Sequence, residues 1–384
     1  MRVSVVILNY GTEPDMLVAA IRSVLDSSNV GHGDPCTLVE VLVADNASPR
    51  HREEARSAVA RLADGGSDAT ANVRWLGLDR NYGFAGGINR AIAACDRQAD
   101  AIFLLNPDAT VDPGAIATCA ARLAAQPVSV VSVAPKILLE NATTPNSGGI
   151  IDAIGNAINE RGEAFNIGLG QPDLGQYDVS GSCFGPCFAA GLFRRSAFAR
   201  SQVGPLDESL FLYYEDVDWN WRAQLLGYGS VTEPSARIQH VMSATLRHLG
   251  YGFKFHLTER NLLLCSLKHF ERGRVLSIWT RRIGGLVKGS LLGHYPVDGV
   301  RAVAGAIRRA PHALRTRHSL QRRRVRSDTA ILAFGRGERT YFDAVRYVPI
   351  ERDAAERFAS ARLAEVRRRA AAVSPDAGAT PPGS

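Results

Sequence analysis

Three features of the chain predict an α/β fold, with a mostly parallel sheet covered by helices and a basic helical region towards the C-terminus. Apolar runs alternate with helical patterns from Val3 to Val133, the runs are nearly unbroken, and most are followed by a short polar cluster. Strands buried on both faces need continuous apolar sequence, and helical crossovers keep successive strands parallel.

The elements follow in order. Val3–Leu8 is a β-type run, and Pro14–Ser27 repeats apolar residues at helical spacing. Val39–Ala44 is the second run, followed by an Ala- and Arg-rich helix over Arg52–Ala63. Val73–Leu78 and Phe84–Cys95 make the third strand–helix pair. Ala101–Leu105 is the fourth run; Asp112 as cap and Pro113 near the first position then start a helix reaching Ala125. Val128–Val133 is the fifth run. From Pro135 to Tyr177 the pattern dissolves into Gly, Asn and short polar stretches, a loop region or irregular insertion. Cys187–Phe193 returns as a strand, Tyr214–Leu226 as a helix and Ser230–Pro234 as a short extended piece. A helical stretch begins near Lys254 and runs into the basic region, and the Ser-, Pro-, Gly- and Ala-rich segment from Ala371 predicts a disordered tail.

With 384 residues, 46% hydrophobic and 22% charged, the chain can bury a substantial core. No apolar run reaches the roughly 18–20 residues that a spanning helix needs. Met1–Leu8 lacks the length and cleavage site of a signal peptide, so it reads as a strand of a cytoplasmic protein. The six cysteines, Cys36, Cys95, Cys119, Cys183, Cys187 and Cys265, lack the paired spacing of a zinc site and read as reduced thiols in or near the core. Net charge is +7, unevenly spread: Arg272–Arg326 holds fourteen basic residues against one acid, Asp298. That segment sums to +13 and leaves the rest of the chain near −6.

In doubly wound sheets, ligands bind outside the carboxyl ends of the strands. Those ends carry Asn9-Tyr10-Gly11-Thr12, Asp45-Asn46-Ala47-Ser48, Arg80-Asn81-Tyr82-Gly83 and Asn106-Pro107-Asp108. One such cluster is ordinary turn chemistry; four in register point to a polar site along one sheet edge. Asp45 either opens a turn or accepts the imide N–H of uracil or thymine, with Asn46 or Ser48 fixing its loop. Asn81–Gly87 is a flexible turn entering a helix, where free N–H groups can meet phosphate. It is neither the dinucleotide fingerprint nor a P-loop. Asp108, just past a buried strand and beside an amide, is placed to bind a hard divalent cation, Mg²⁺ or Mn²⁺, held by one or two carboxylates and phosphate oxygens.

A second cluster runs Phe211-Leu212-Tyr213-Tyr214-Glu215-Asp216-Val217-Asp218-Trp219. Acids at a helix start favour its dipole and need no further role. Asp218 and Arg222, four apart, predict an ion pair. Asp216 lies about 200° around the helix from Asp218, so the two cannot serve one site. Glu215 or Asp216 is left as the general base. His240, after the extended piece, is either structural or a further metal ligand.

These stretches resemble the family-2 glycosyltransferases of the GT-A fold, especially the bacterial rhamnosyltransferase and galactofuranosyltransferase branch. The resemblance rests on Val5–Tyr10, Val43–Ser48, Asn81–Asn89, Leu104–Asp108, Gly204–Glu208, Phe211–Asp218 and His240, and it extends in order to about Phe270. It implies that Asp45 contacts the nucleotide base and that Asn9, Tyr10, Asn46, Asn81, Gly83, Asn89 and Asn106 line the donor site. It also implies that Asp108 is the last carboxylate of the Asp-x-Asp metal motif, that Asp216, beside Glu215, is the catalytic base, and that His240 is a metal ligand. The chain departs from the motif at Asn106, an amide that offers oxygen without charge. The implied reaction is a single inverting displacement from a dTDP- or UDP-sugar onto a hydroxyl of a lipid-linked cell-envelope glycan. Rhamnose is the favoured sugar and galactofuranose the second.

The basic segment interleaves Arg281-Arg282, Lys288, Arg301 and Arg308-Arg309 with Leu, Ile, Val, Trp279 and Tyr295. Such sequence suits an anionic membrane surface, with a plain charged or homo-oligomeric helix as the alternative. Few aromatics accompany the arginines, which disfavours nucleic acid. The expected organisation is a glycosyltransferase domain over 1–270, a basic helical region over 271–370 and a tail over 371–384, peripheral at the inner face of the plasma membrane. The competing readings are a sugar-nucleotide pyrophosphorylase, whose Gly-rich basic loop is missing after Leu8, and a non-catalytic binding module.

Overall fold

A computed structural model describes residues 1–28, 36–64, 72–140, 148–241, 250–293 and 296–336. The tail from Ala371, the last third of the 271–370 region and Tyr295 lie outside the described residues.

Four parallel strands, β1 (Arg2–Asn9), β2 (Thr37–Asp45), β3 (Asn72–Gly77) and β4 (Ala101–Leu105), are linked by α1 (Pro14–Ser28), α2 (Arg52–Asp64) and α3 (Gly83–Ala94). They stand in the order β4-β1-β2-β3. Asn9 pairs with Asp45 and Asp45 with Gly77, so the polar ends lie level. Next come β5 (Ala109–Val111), α4 (Ala115–Ala124), β6 (Val130–Leu139), β7 (Ile151–Ala153), β8 (Asn156–Ile158), β9 (Ala164–Asn166), β10 (Ser182–Cys183) and β11 (Ala190–Arg194). β11 lies antiparallel between β4 and β6. After α5 (Glu215–Leu225), β12 (Gly229–His240) adds parallel to β6 and extends the sheet. α6 (Tyr251–His269), α7 (Arg272–Leu291), α8 (Pro296–Arg322) and α9 (Asp328–Leu332) complete the described chain. The α/β architecture and the helical C-terminal region are those the sequence predicts.

Several elements depart from expectation. Asp112 does not cap α4: Gly114, left-handed at φ 75°, takes that position without a side-chain bond, and Pro113 precedes the helix. Val128 is 83% exposed, so the fifth strand starts later, at Val130, and then continues to Leu139. The extended piece expected to end at Pro234 is a twelve-residue strand. Pro135 and Pro234 both fall where the β6–β12 register shifts, between Glu233 and Arg237. A proline cannot donate to the ladder, and a bulge absorbs the loss while the strand continues. The region expected to be irregular holds three short strands, β7, β8 and β9.

Alternation along the parallel strands divides the core. Val5, Ile7, Val43 and Phe103 meet Leu17 and Ile21 of α1 on one face. Val6, Leu42 and Leu104 meet Ile88 of α3 and Trp219 of α5 on the other. A third cluster joins Phe184 and Trp221 to Leu263, Phe270 and Ala313, so the C-terminal helices pack directly against α5. All six cysteines are free, four of them buried, as reduced core thiols should be.

Candidate active site

The carboxyl ends of β1, β2 and β3 are tied into one network. Asn9 is fully buried and donates from Nδ2 to Asp45 Oδ1 at 3.0 Å and to Ser48 Oγ at 3.2 Å. Ser48 also donates to Asp45 through its hydroxyl and, at 3.2 Å, its backbone N–H. Arg52 completes the enclosure, with Nε 2.8 Å from Asp45 Oδ2. The carboxylate that the sequence points toward a base is therefore turned inward and fully engaged. Tyr10, next along, is half-buried.

Asn46 joins this network to the loop before α3. Its Nδ2 donates to Asn81 Oδ1 and the Gly83 carbonyl, both at 3.0 Å, and its Oδ1 accepts from Tyr82 N–H at 2.9 Å. Asn81 in turn accepts from Gly83 N–H at 2.8 Å. Gly83 has φ +70°, and a Cβ there would stand 2.3 Å from the Phe211 carbonyl oxygen. Gly83→Ala is thus expected to destabilise the fold by more than about 1 kcal/mol, read as a lower midpoint in urea. Asn89 sits apart from this edge, fastened to Leu206 by two 2.9 Å bonds and to Glu208 by a 3.1 Å bond.

Three strand pairings assemble a second cluster. β12 pairs antiparallel with β5, His240 opposite Ala109, which brings Asp108 beside the imidazole. The β6–β12 and β6–β7 pairings bring in Asp152. His240 Nδ1 is 2.7 Å from Asp152 Oδ2, and Nε2 is 3.3 Å from Asp108 Oδ1 and 3.4 Å from Asn106 Nδ2. Asp108 Oδ1 is buried, with no hydrogen-bond partner beyond this contact with the imidazole. Burial opposes charge on the ring, but hydrogen bonds and charge from both carboxylates outweigh it and raise its pKa to about 10. The cluster is built to hold positive charge. Were a divalent cation bound, it would displace the Nε2 proton, and with Nδ1–H given to Asp152 the ring nitrogen and the Asp108 carboxylate would be its ligands.

The third group opens α5. Phe211, Tyr213 and Tyr214 all have positive φ, near 66–69°, just before the helix. Asn261 Nδ2 bonds the carbonyls of Leu210, Leu212 and Tyr213 at 2.6–3.0 Å and fixes this turn. Asp216 is half-buried and accepts from Asn156 Nδ2 at 3.0 Å, from Val217 N–H at 2.7 Å and from Phe188 N–H. Asn220, one turn on, donates to Asn156 Oδ1 at 3.0 Å, so Asn156 is held from both sides. Desolvation raises the Asp216 pKa even against these bonds. Glu215 is 6% exposed, its Oε2 unpartnered, and burial followed by the adjacent Asp216 charge pushes it well up.

Asp218 turns the other way, as the helical angle requires. It meets Lys268, Arg222 at 3.0 Å and His269 at 2.8 Å in a fully buried network. Asp218, Cys265 and His269 are close enough to share a cation, but the Lys268 ammonium already supplies the positive charge there. Asp152 and Asn156, four residues apart, connect the His240 and Asp216 groups. Cys187, whose thiol pKa is raised by burial and then by Asp216 and Asp152, lies between them. Neither residue was singled out from the sequence; the available signal was an acid and an amide inside the apolar run Ile150–Ile158. A cleft of about 850 Å³ beside Asp100 and Arg195 opens at the amino end of β4, away from all three groups.

The sequence profile described as glycosyl transferase family 2 matches residues 4–200. The chain is 30% identical over 225 residues to N-acetylglucosaminyl-diphospho-decaprenol L-rhamnosyltransferase of Mycobacterium tuberculosis, in both strain CDC 1551 / Oshkosh and strain ATCC 25618 / H37Rv. That match covers 53% of this chain and 66% of the relative, slightly under two thirds of its length. Among solved structures, S. aureus TarS 1–349 superposes with a TM-score of 0.48 at 12% identity, covering 84% of this chain and 88% of that one. The mannosyltransferase PcManGT from Pyrobaculum calidifontis, in complex with GDP-Man and Mn²⁺, gives 0.47 at 14% identity, covering 98% and 88%. The family profile spans just over half of the chain and takes in the β1–β4 edge and Asp108, and on that ground the chain belongs to glycosyl transferase family 2.

Proposed function

We propose that this family member transfers a sugar from a dTDP- or UDP-linked donor to a hydroxyl of a lipid-linked cell-envelope glycan, inverting the anomeric configuration. The observation that carries the reading is Asp216: a half-buried carboxylate at the start of α5, oriented by Asn156 and held at a raised pKa. A general base works best when burial brings its pKa closer to the working pH. Asp216 takes the proton from the acceptor hydroxyl as that oxygen attacks the anomeric carbon. Glu215, more deeply buried and pushed further up, supports the turn. Rhamnose and a lipid diphosphate acceptor are favoured because the mycobacterial relative carries them in its name.

The donor lies along the β1–β4 edge. Tyr10 and Asn81 face the nucleotide and its phosphates, while Asn9, Asp45 and Asn46 act as the frame holding those loops in register. Asp108 and His240 are the proposed ligands of a divalent cation, with Asn106 beside them and Asp152 fixing the imidazole. When bound, the cation offsets negative charge on the leaving nucleotide diphosphate. Asp152→Asn is expected to weaken Mn²⁺ affinity about 10–100-fold, read by calorimetry, with the melting temperature recorded as a control.

The basic helical region completes the reading as a contact with an anionic membrane. Among the described residues, no helix is long and apolar enough to cross a membrane. Leu291, Leu292, Val297 and Val300, 56–83% exposed around the α7–α8 turn, stand beside Lys288 and Arg301. Apolar side chains ringed by cations suit the face of an anionic bilayer. The test of the proposal is a donor panel: dTDP- and UDP-sugars titrated with Mn²⁺, Mg²⁺ or chelator. Cation-dependent binding of one donor is expected, and binding of none under any condition would overturn the reading.

A further inference from the structure

A second cleft, of about 580 Å³, lies between α6 and α8 and reaches the turn before α5. Arg260, Arg301, Arg308 and Arg309 line it together with His256, and Phe211, Phe253 and Leu257 supply apolar wall. Four guanidinium groups around one opening are costly unless something negative joins them. Arg260 is 4% exposed; its Nη2 bonds the Leu210 carbonyl at 2.6 Å and its Nε the Asn261 amide oxygen at 2.9 Å. Burial, then the nearby Arg309 and Arg308, lower its pKa to about 10.

No carboxylate among the described residues pairs with Arg260, Arg308 or Arg309. Arg301 reaches only Asp298, one turn earlier on its own helix, at 3.6 Å. Glu208 also lines the cleft, but it is paired with Arg90 at 3.1 Å and bonded to Asn89. His256 Nδ1 is buried without a partner. Gly305 keeps the opening clear, since a Cβ there would stand 3.0 Å from Arg260 Cδ. Arginine forks match phosphate oxygens in a bidentate way, and the aromatic walls suit a chain of carbon atoms.

The cleft also has a position relative to the proposed chemistry. Phe211, one of its walls, accepts from Ala85 N–H at 3.3 Å through its carbonyl and so touches the start of α3. It begins the strained turn that carries Asp216. Arg301 and Arg308 continue along α8 from the exposed apolar residues of the α7–α8 turn.

We propose that this cleft binds the diphosphate and the adjoining apolar chain of the lipid-linked acceptor, an inference that rests on the transferase reading above. Farnesyl diphosphate is a soluble probe of that chemistry, titrated calorimetrically into the full chain with chelator present. Saturable binding is expected, with pyrophosphate and farnesol each binding about tenfold more weakly or worse, because neither fills both halves of the site. Arg308→Gln with Arg309→Gln is expected to weaken farnesyl diphosphate about tenfold or more. Both residues lie at the cleft mouth, so the melting temperature and nucleotide binding should not move. Phe253→Ser should weaken farnesyl diphosphate and farnesol but leave pyrophosphate unchanged.

The proposal is overturned if the double variant binds farnesyl diphosphate as wild type does, or if the probe does not bind. Pyrophosphate binding as tightly as the probe would mean a bare anion site. Displacement of the probe by UDP or dTDP would assign the cleft to the donor, and displacement by phosphatidylglycerol vesicles to a membrane headgroup. Nucleotide titrations in the same samples separate the two levels. Donor binding without probe binding removes the cleft and leaves the transferase reading, and the reverse removes the transferase reading.

Discussion

Asp216→Asn is expected to lower kcat by about 10²–10⁴-fold while leaving donor affinity and the melting temperature near wild type. The amide keeps the size of the side chain and one accepting oxygen, which can still take the Asn156 bond, and the turn into α5 is held separately by Asn261. What it loses is the capacity to take a proton. Because the Asp216 pKa is raised, its basic form is populated only above the ordinary carboxylate range, and kcat should fall as pH drops through that raised value. Glu215→Gln is the discriminating partner: burial already disfavours its charge, so a neutral amide of the same size should keep most of the activity. A large loss with Glu215→Gln and a small one with Asp216→Asn would reverse the assignment.

Two positions further along the same helix, the expected result is opposite in kind. Asp218→Asn should destabilise the fold by about 3–5 kcal/mol, because it leaves the fully buried Lys268 ammonium without its main counter-charge. Activity would then be lost with the fold, as a lower denaturation midpoint. Burial alone would raise the Asp218 pKa, but Lys268, Arg222 and His269 hold it well below the usual range. Asp207 experiences the same Lys268 charge and falls to about 2 against its own burial. A depressed carboxylate pKa gives stability that is complete above the unfolded value, about 3.9, and is lost as pH falls through the folded one. Wild type should therefore lose stability between about pH 5 and pH 2, and Asp218→Asn should lose much less over that interval.

The parallel half of the sheet was legible because its signals are local. An apolar run followed by a polar tip is written in ten consecutive residues, and parallel pairing then brings Asn9, Asp45 and Asn46 to one edge. The opposite directions of Asp216 and Asp218 were legible for the same reason, since helical geometry alone sets the angle. The inward turn of Asp45 was not, because it depends on Arg52 arriving from the first turn of α2. Asp152 and Asn156 come from three-residue strands whose places in the fold depend on partners far along the chain, Leu138 for the strand of Asp152 and Gly185 for Asn156. β12 was hidden by Pro234, which ends an extended pattern in sequence but sits in a bulge in the sheet. His240 was found, yet the carboxylate that orients it was not.

The most direct test of the central claim is the anomeric configuration of the product. The full chain would be incubated with a dTDP- or UDP-sugar that it binds, a lipid diphosphate-linked glycan acceptor and Mn²⁺, and the new linkage read by NMR. The account predicts a single new glycosidic bond of configuration opposite to the donor's, formed by wild type and by Glu215→Gln but not by Asp216→Asn. A product that retains the donor's configuration, or one formed equally well without the Asp216 carboxylate, would contradict it.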